Sequence, residues 1–586
     1  MQKIIKRRQV DLSEADFSAA IPPLLQRVYA SRGIKTDAQL QNGLQQLHQP
    51  QAFKGLDAAV ELLAEAVVEG RKVLIVGDFD ADGATSCALA VLALRAMGLE
   101  QVDFLVPNRF EYGYGLTPEI VAVAAGLQPA VIVTVDNGIS SIEGVAAAQA
   151  RNIRVVVTDH HLPGPQLPAA DAIVNPNQGQ CGFPSKHLAG VGVIFYVMSA
   201  LRAELRRRDW FAERGLAEPN MADYLDLVAL GTVADVVPLD DNNRILVYQG
   251  IQRIRAGRAR TGILAMLAVA GREPRRLVAA DLGFVVGPRL NAAGRLDDMS
   301  LGIQCLLCDS PGLAREMALE LEDLNRDRKA IESGMQREAM QSLQALQVDE
   351  AGDLPWGLCL YDATWHQGVI GILAARIKDR FHRPVIAFAD ADAGTIKGSA
   401  RSIAGLHIRD ALDAVAARHP GLLSKFGGHA MAAGMTLEKA HFDRFQAAFD
   451  AVVREQLDAA DLQAELLSDG ALEREDFALE LAQQIREAGP WGQHFPQPLF
   501  DGEFYLQQQR LVGEKHLKLV VSLLPEDQLL IDAIAFNVDL DVWPNPAVQR
   551  ARLAYRLDVN EFRGRRSVQL IVEYLEPCQV PAPAAK

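Results

Sequence analysis

Three Val- and Ile-rich runs near the N-terminus each end in acids or histidines: KVLIVGDFDADG (Lys72 to Gly83), AVIVTVDNGIS (Ala130 to Ser140) and IRVVVTDHH (Ile153 to His161). Unbroken apolar runs of this length read as strands buried on both faces, the pattern of a parallel sheet. Ligands of open parallel sheets bind outside the carboxyl ends of the strands. Those ends would gather Asp78, Asp80, Asp82, Asp136, Asp159, His160 and His161 in one crevice. So many carboxylates cannot stay ionised together without cations. Oxygen donors with one or two imidazoles suit Mg²⁺ or Mn²⁺. The pattern points to a two-metal hydrolase.

Singly, the motifs have blander readings. Asp80-x-Asp82 could be an Asx turn with a capping Asp, and Asp136-Asn137-Gly138 a simple turn. Asp159-His160-His161 is harder to explain by packing. In extended chain the two imidazoles point in opposite directions, so only one would be a direct ligand, with the other on a phosphate or supporting the site. Asp235 could cap a turn, and Asp226 reads equally as solvated surface.

At 586 residues the chain is long enough for three or four domains. A net charge of −15 does not advertise nucleic-acid binding, but a local basic channel can sit on an acidic body. The basic start MQKIIKRRQV has no apolar signal core, and no apolar run reaches transmembrane length. The six cysteines lack disulfide-framework spacing, which suggests a reducing cytoplasm, and Cys305-Leu-Leu-Cys308 reads as core packing.

The composition divides the chain into an N-terminal helical segment (1–60), a parallel-sheet α/β domain (61–310), a long connecting helix (311–350), a second α/β domain (351–460), an all-β domain (461–578) read as a sandwich or small barrel, and a disordered tail (579–586). The two α/β domains hold every candidate ligand, so truncation near Leu466 is expected to leave the metal chemistry intact.

GDFDADG, VTVDNG, TDHH and LGTVADVVPL stand in the order of the motifs of the DHH phosphoesterase superfamily, which the chain resembles. SRGI (Ser31 to Ile34), VPNRFEYGYGL (Val106 to Leu116), HLAGVGV (His187 to Val193) and PRLNAAGR (Pro288 to Arg295) resemble its RecJ family of single-strand exonucleases. WHQGVIGILAARI (Trp365 to Ile377), GSARS (Gly398 to Ser402) and FGGHAMAAG (Phe426 to Gly434) are similar to the DHH-associated (DHHA1) domain, and the C-terminal segment to an OB-fold barrel. Smaller superfamily members carry a histidine where Val76 stands. The RecJ-like pattern instead has an acid at Asp78, a ligand or a support for one.

The resemblance implies a 5′→3′ single-strand DNA exonuclease acting in recombination and repair. It implies two Mn²⁺ or Mg²⁺ ions on Asp80, Asp82, Asp136, His160 and Asp235, with Asp136, Asp159 and His161 in catalysis and His161 on the scissile phosphate. Arg109, Arg289, Asn291 and Arg295 would meet nearby phosphates, the arginines by their planar forks, although each could be a surface ion pair instead. Ser399 and Arg401 would hold the 5′ end or leaving nucleotide, and Gly428 and His429 the substrate near the cut. Lys518, Phe562 and Arg563 would track and stack the incoming strand. Single-strand-binding protein and a helicase are the implied partners of a cytoplasmic monomer. A DHH phosphodiesterase for short oligonucleotides or cyclic dinucleotides is the rival reading, and the extra C-terminal domain argues against it. A non-catalytic scaffold would have lost ligands that are all present here.

Overall fold

The structure, a computed structural model, describes residues 3–108, 115–349, 354–391, 394–562 and 564–578. Arg109, Arg563 and the 579–586 tail lie outside them, as does the Phe562 side chain. Two compact units emerge: one combines Arg326–Ser468 with the N-terminal residues up to Arg7, and the other combines Arg8–Asn325 with the chain from Asp469 onward.

The chain opens with a strand, β1 (Ile4–Arg7), and only one α-helix, Pro23–Ala30, precedes residue 56 among the described residues. The helical reading of residues 1–60 is therefore corrected. Pro22, Pro23 and Pro50, with glycines at 33, 43 and 55, break the segment into short turns.

The apolar runs form the expected sheet. β2 (Val73–Gly77), β3 (Val102–Leu105), β4 (Val131–Val135), β5 (Arg154–Thr158) and β6 (Ala172–Val174) are all parallel, in the order β3-β2-β4-β5-β6. Every residue of β2 and β4 is buried, which explains the lack of alternation in their sequences. The chain leaves β2 toward β3 on one side and returns at β4 on the other. The strand order reverses there, and a crevice opens at the carboxyl ends of β2 and β4.

Pro311–Asp349 is one 39-residue helix whose residues divide between the two units at Asn325 and Arg326. In the smaller unit, β7 (Leu358–Tyr361), β8 (Val385–Asp390), β9 (Thr395–Arg401), β10 (Lys425–Gly428) and β11 (Ala432–Glu438) form a sheet in the order β10-β11-β9-β8-β7. β12 (Glu465–Ser468) pairs in parallel with β1.

β13 (Phe500–Val512), β14 (His516–Ser522), β15 (Ile531–Ala535), β16 (Arg550–Phe562) and β17 (Arg565–Pro577) close into a barrel. The all-β reading of the C-terminal segment missed the Leu479–Glu487 helix, whose Ala482 and Ile485 are buried. It also made the segment too separable. Barrel residues such as Phe500, Leu519 and Tyr555 share one continuous buried cluster with Leu63, Val133 and Leu230 of the parallel-sheet domain. A clasp lies at the junction. Arg32 grips both oxygens of Asp469, at 2.9 and 3.0 Å, and also donates through Nε to the Pro496 carbonyl. Both charged side chains are almost fully buried, at 1% and 2% exposure. The Arg32 guanidinium lies over Trp491, which stacks on Tyr29 and Phe495. Truncation near Leu466 would remove half of this clasp and expose part of the shared core.

Candidate active site

The turn after β2 aims three acids into the crevice. Asp80 caps the Ala81–Ala96 helix, with its Oδ1 accepting the Asp82 and Gly83 N–H groups at 3.0 Å. The capping reading and the ligand reading thus coexist, because a carboxylate has a second oxygen. Asp82 is buried and accepts the Gly190 and Val191 N–H groups, at 2.6 and 2.9 Å, from the start of the Gly190–Arg207 helix. Asp78 accepts the Phe79 N–H at 2.7 Å.

Asp136 follows β4 in a left-handed conformation, φ 61°. Close packing around these acids accounts for glycines in two other motifs. A Cβ on Gly190 would fall 2.6 Å from the Asp136 Cβ, and one on Gly231 would fall 2.3 Å from Thr85 Oγ1 and 2.8 Å from Asp82 Oδ1. HLAGVGV and LGTVADVVPL therefore contribute close-packing glycines as well as Asp235.

β5 ends just before the histidine pair, and the expectation that the two rings point in opposite directions is corrected: they lie side by side, 4.5 Å between centroids, because both residues fall past the strand end where their N–H groups converge on Asp159 Oδ1. His160 Nε2 lies 3.0 Å from Asp136 Oδ1, 3.5 Å from Asp235 Oδ2 and 4.0 Å from Asp82 Oδ2. His161 Nδ1 instead meets Asp159 Oδ1 at 2.8 Å, with a third of its side chain open to solvent. Asp159 also accepts the His160, His161 and Ile139 N–H groups. It acts through the geometry of this loop and is a positioning residue.

Donor atoms of Asp82, His160 and Asp235 lie within 4.8 Å of one another. The same limit holds for Asp78, Asp80 and Asp136, and for Asp136, His160 and His161. The electrostatics match this crowding. Burial, then the charge of Asp80, pushes the Asp82 carboxyl up to about 7 against the pull of its two N–H donors. Burial and the neighbouring acids hold Asp136 and Asp235 well above the usual carboxylate range. Burial works against charge on His161, but the Asp159 hydrogen bond and the surrounding carboxylates push it up to about 9.

Asp226 is fully buried, and its oxygens accept the Leu227 and Arg260 N–H groups at 2.8 and 2.5 Å. The surface reading is thereby corrected: Asp226 ties two chain segments together away from the acid cluster. Asn291 accepts the Ala81 N–H at 2.8 Å and so anchors the acidic turn. Arg289 is buried against Glu322 at 2.5 Å, a realised ion pair, and Arg295 is half-buried on the same Gly287–Leu296 helix.

In the smaller unit, sheet register gathers its four residues. Ser399 and Arg401 of β9 pair with Gly434 and Ala432 of β11, and Gly428 of β10 pairs with Ala433. Arg401 donates to Ser399 Oγ at 3.2 Å, and the His429 N–H donates to the Ala432 carbonyl. On the barrel, Lys518 is engaged by Asp532 at 3.0 Å. Sequence reasoning missed Asn137 as a brace. Its amide donates to the Val76 and Val135 carbonyls and ties the ends of β2 and β4 together. The side chain is polar, buried and central, yet it stands in a motif that reads as a turn.

Fold and crevice together define a DHH-family protein. Residues 72–232 match the DHH family N-terminal domain, 356–455 the DHHA1 domain and 468–574 the RecJ OB domain. The chain is 58% identical over 578 residues to the single-stranded-DNA-specific exonuclease RecJ of Dickeya dadantii, covering 98% of this chain and 100% of the relative. It is 57% identical to the Escherichia coli RecJ, covering 98% and 99%. The crystal structure of Thermus thermophilus RecJ in complex with Mn²⁺ superposes with a TM-score of 0.77 at 28% identity, covering 96% of this chain and 77% of that one. The chain belongs to the RecJ family. No helix among the described residues is long and apolar enough to cross a membrane.

Proposed function

We propose that the chain is a single-strand-specific 5′→3′ DNA exonuclease that hydrolyses phosphodiester bonds with two Mn²⁺ or Mg²⁺ ions. The observation that carries this reading is the set of overlapping acid–histidine groups at the ends of β2, β4 and β5, with their donor atoms within 4.8 Å. The donor set fits the ions. It is oxygen-rich with two imidazoles in reach, and its raised carboxyls are those a divalent cation would return to the ionised state. The relatives named single-stranded-DNA-specific exonuclease, and the neighbour bound to Mn²⁺, support the same assignment.

Asp80, Asp82, Asp136, His160 and Asp235 would hold the ions, with Asp78 beside them. Held by these residues, two divalent ions would supply a water activated near neutral pH and would offset charge growing on the phosphate. Asp82 is fixed by two backbone N–H donors and needs no reorganisation to serve. Asp159 aims His161 at the mouth of the crevice, where its imidazole would contact the scissile phosphate. In the smaller unit, the Ser399, Arg401, Gly428 and His429 cluster would receive a terminal phosphate or leaving nucleotide. Asn291 orders the acidic turn. Arg289, paired with Glu322, and Arg295 on the same helix are the candidates for nearby phosphates. Polarity, the role in recombination and repair, the monomeric state, cytoplasmic location and partnership with single-strand-binding protein and a helicase rest on family resemblance.

Digestion of single- and double-stranded DNA labelled at either end, with Mn²⁺, Mg²⁺ or chelator, tests the reading. A 5′-labelled single strand should release labelled mononucleotide from the first turnover, with duplex resistant and chelator abolishing release. Early loss of the 3′ label would overturn the polarity, and turnover in chelator would overturn the metal assignment.

A further inference from the structure

One wall of the crevice carries an exposed aromatic that the site as described does not use. Between the segment ending in Asp281 and the Gly287–Leu296 helix, residues Leu282–Val286 form a π-helical turn. Such turns are uncommon and recur at functional sites. Leu282 and Val286 are fully buried, while Phe284 is 84% exposed. That is an unusual setting for a phenylalanine, because an aromatic gains most when its area leaves water.

Two contacts fix where this turn lies. A Cβ on Gly283 would fall 3.2 Å from Val233 Cγ1, and one on Gly287 would fall 3.1 Å from the Ala234 Cβ. The turn therefore packs on the last residues of the Leu225–Ala234 helix, directly before Asp235. Further along the same continuous segment, Asn291 holds the Ala81 N–H, and Gly294 abuts the Phe79 carbonyl. The segment thus touches both halves of the acid cluster. Arg289 donates to the Val285 carbonyl and pairs with Glu322, which braces the turn from within. A second irregularity adjoins Asp235 along the chain. Val236, next to Asp235, has φ 61° and is 63% exposed. A β-branched residue in left-handed backbone is strained, and such strain concentrates at functional sites.

We infer that Phe284 is a stacking platform for a base of the single-stranded substrate at the edge of the catalytic crevice. Every base offers a π-face, so a lone exposed ring on a braced turn binds single strands without regard to sequence. A paired, stacked duplex cannot offer that face, so the same ring favours single strands over duplex. The inference rests on the exonuclease reading and deepens it.

The test compares wild type, Phe284→Ala and Phe284→Trp on single strands in which one nucleotide at a time is abasic. Wild type should show one position whose base loss weakens binding. Phe284→Ala should raise KM on intact DNA by roughly 5- to 100-fold and lose sensitivity at that position, and Phe284→Trp should restore both. Because the ring is exposed, the thermal midpoint and Mn²⁺ affinity of the alanine variant should match wild type. An unchanged KM with unchanged abasic sensitivity would overturn the inference and leave Phe284 as a contact for another protein. So would a loss that tryptophan does not restore. Wild-type digestion of single strands in Mn²⁺, run alongside, separates the two readings. Its failure removes the exonuclease reading and this inference together, whereas its success with an indifferent Phe284→Ala removes the inference alone.

Discussion

Replacing Asp136 by Asn should stabilise the metal-free protein and destroy its response to metal. Asp136 shares a 4.8 Å cluster with Asp78 and Asp80, and its Oδ1 faces His160. Two unit charges at that separation repel by roughly 3 kcal/mol at an effective dielectric constant of about 20. His160 offsets part of this when protonated, so the net relief is on the order of 2 kcal/mol. Asparagine keeps the shape and tolerates the left-handed backbone at φ 61°.

The sign follows from the raised carboxyls. A folded-state acid with a raised pKa binds more protons than its unfolded counterpart, so stability falls as pH climbs from the unfolded value through the folded one. For Asp82 that window runs from about 4 to about 7. In chelator, the thermal midpoint of Asp136→Asn should exceed wild type by a few degrees at pH 8, and the gap should close toward pH 5. Saturating Mn²⁺ should reverse the order. Wild type gains about 2.7 kcal/mol at a hundredfold excess over Kd, and the variant gains little. Melting curves across pH, with and without Mn²⁺, measure all of this. A variant no more stable than wild type in chelator at pH 8, or a gap that widens toward pH 5, would refute the repulsion argument.

His160→Ala should lower both Mn²⁺ affinity and turnover, whereas His161→Ala should spare affinity and lower turnover; calorimetric titration of both distinguishes them. In the metal-free protein, the His161 imidazole should titrate near pH 9 by NMR and fall back toward 6.5 in Asp159→Asn. Because that pKa is raised, the pair's contribution to stability is full below about 6.5 and is lost as pH rises through about 9. Arg32→Ala should destabilise the protein by removing the bidentate partner of the buried Asp469, with Arg8 at 3.7 Å left to offset part of the charge, seen as a lower melting midpoint and faster proteolysis near the barrel junction. Gly190→Ala should cut Mn²⁺ affinity by at least tenfold while leaving the far-UV spectrum unchanged, because the added methyl displaces Asp136.

What the sequence revealed and what it hid divide along one physical line. β2, β4 and β5 and their terminal acids were legible because unbroken apolar runs and turn chemistry are local, and a parallel sheet converts local strand ends into one shared crevice. The histidine pair was legible but its arrangement was not: both residues lie past the end of β5, where Asp159 gathers their N–H groups and the rings come to 4.5 Å of each other. Contacts between distant segments left no local trace. Nothing around Asp469 announces Arg32, and nothing in PRLNAAGR says that Asn291 serves the Ala81 N–H while Arg289 serves Glu322. A single residue's chemistry admits both a ligand role and a bracing role, and only the partner decides between them. Asp226 and Asp235 lie nine residues apart, at the two ends of one helix. One faces two backbone donors and holds the chain together, while the other faces His160 across 3.5 Å and completes the crevice. The same logic places Phe284. Its exposure is invisible in sequence, because LGFVVG reads as an ordinary buried run until the π-helical turn rotates one ring out of it.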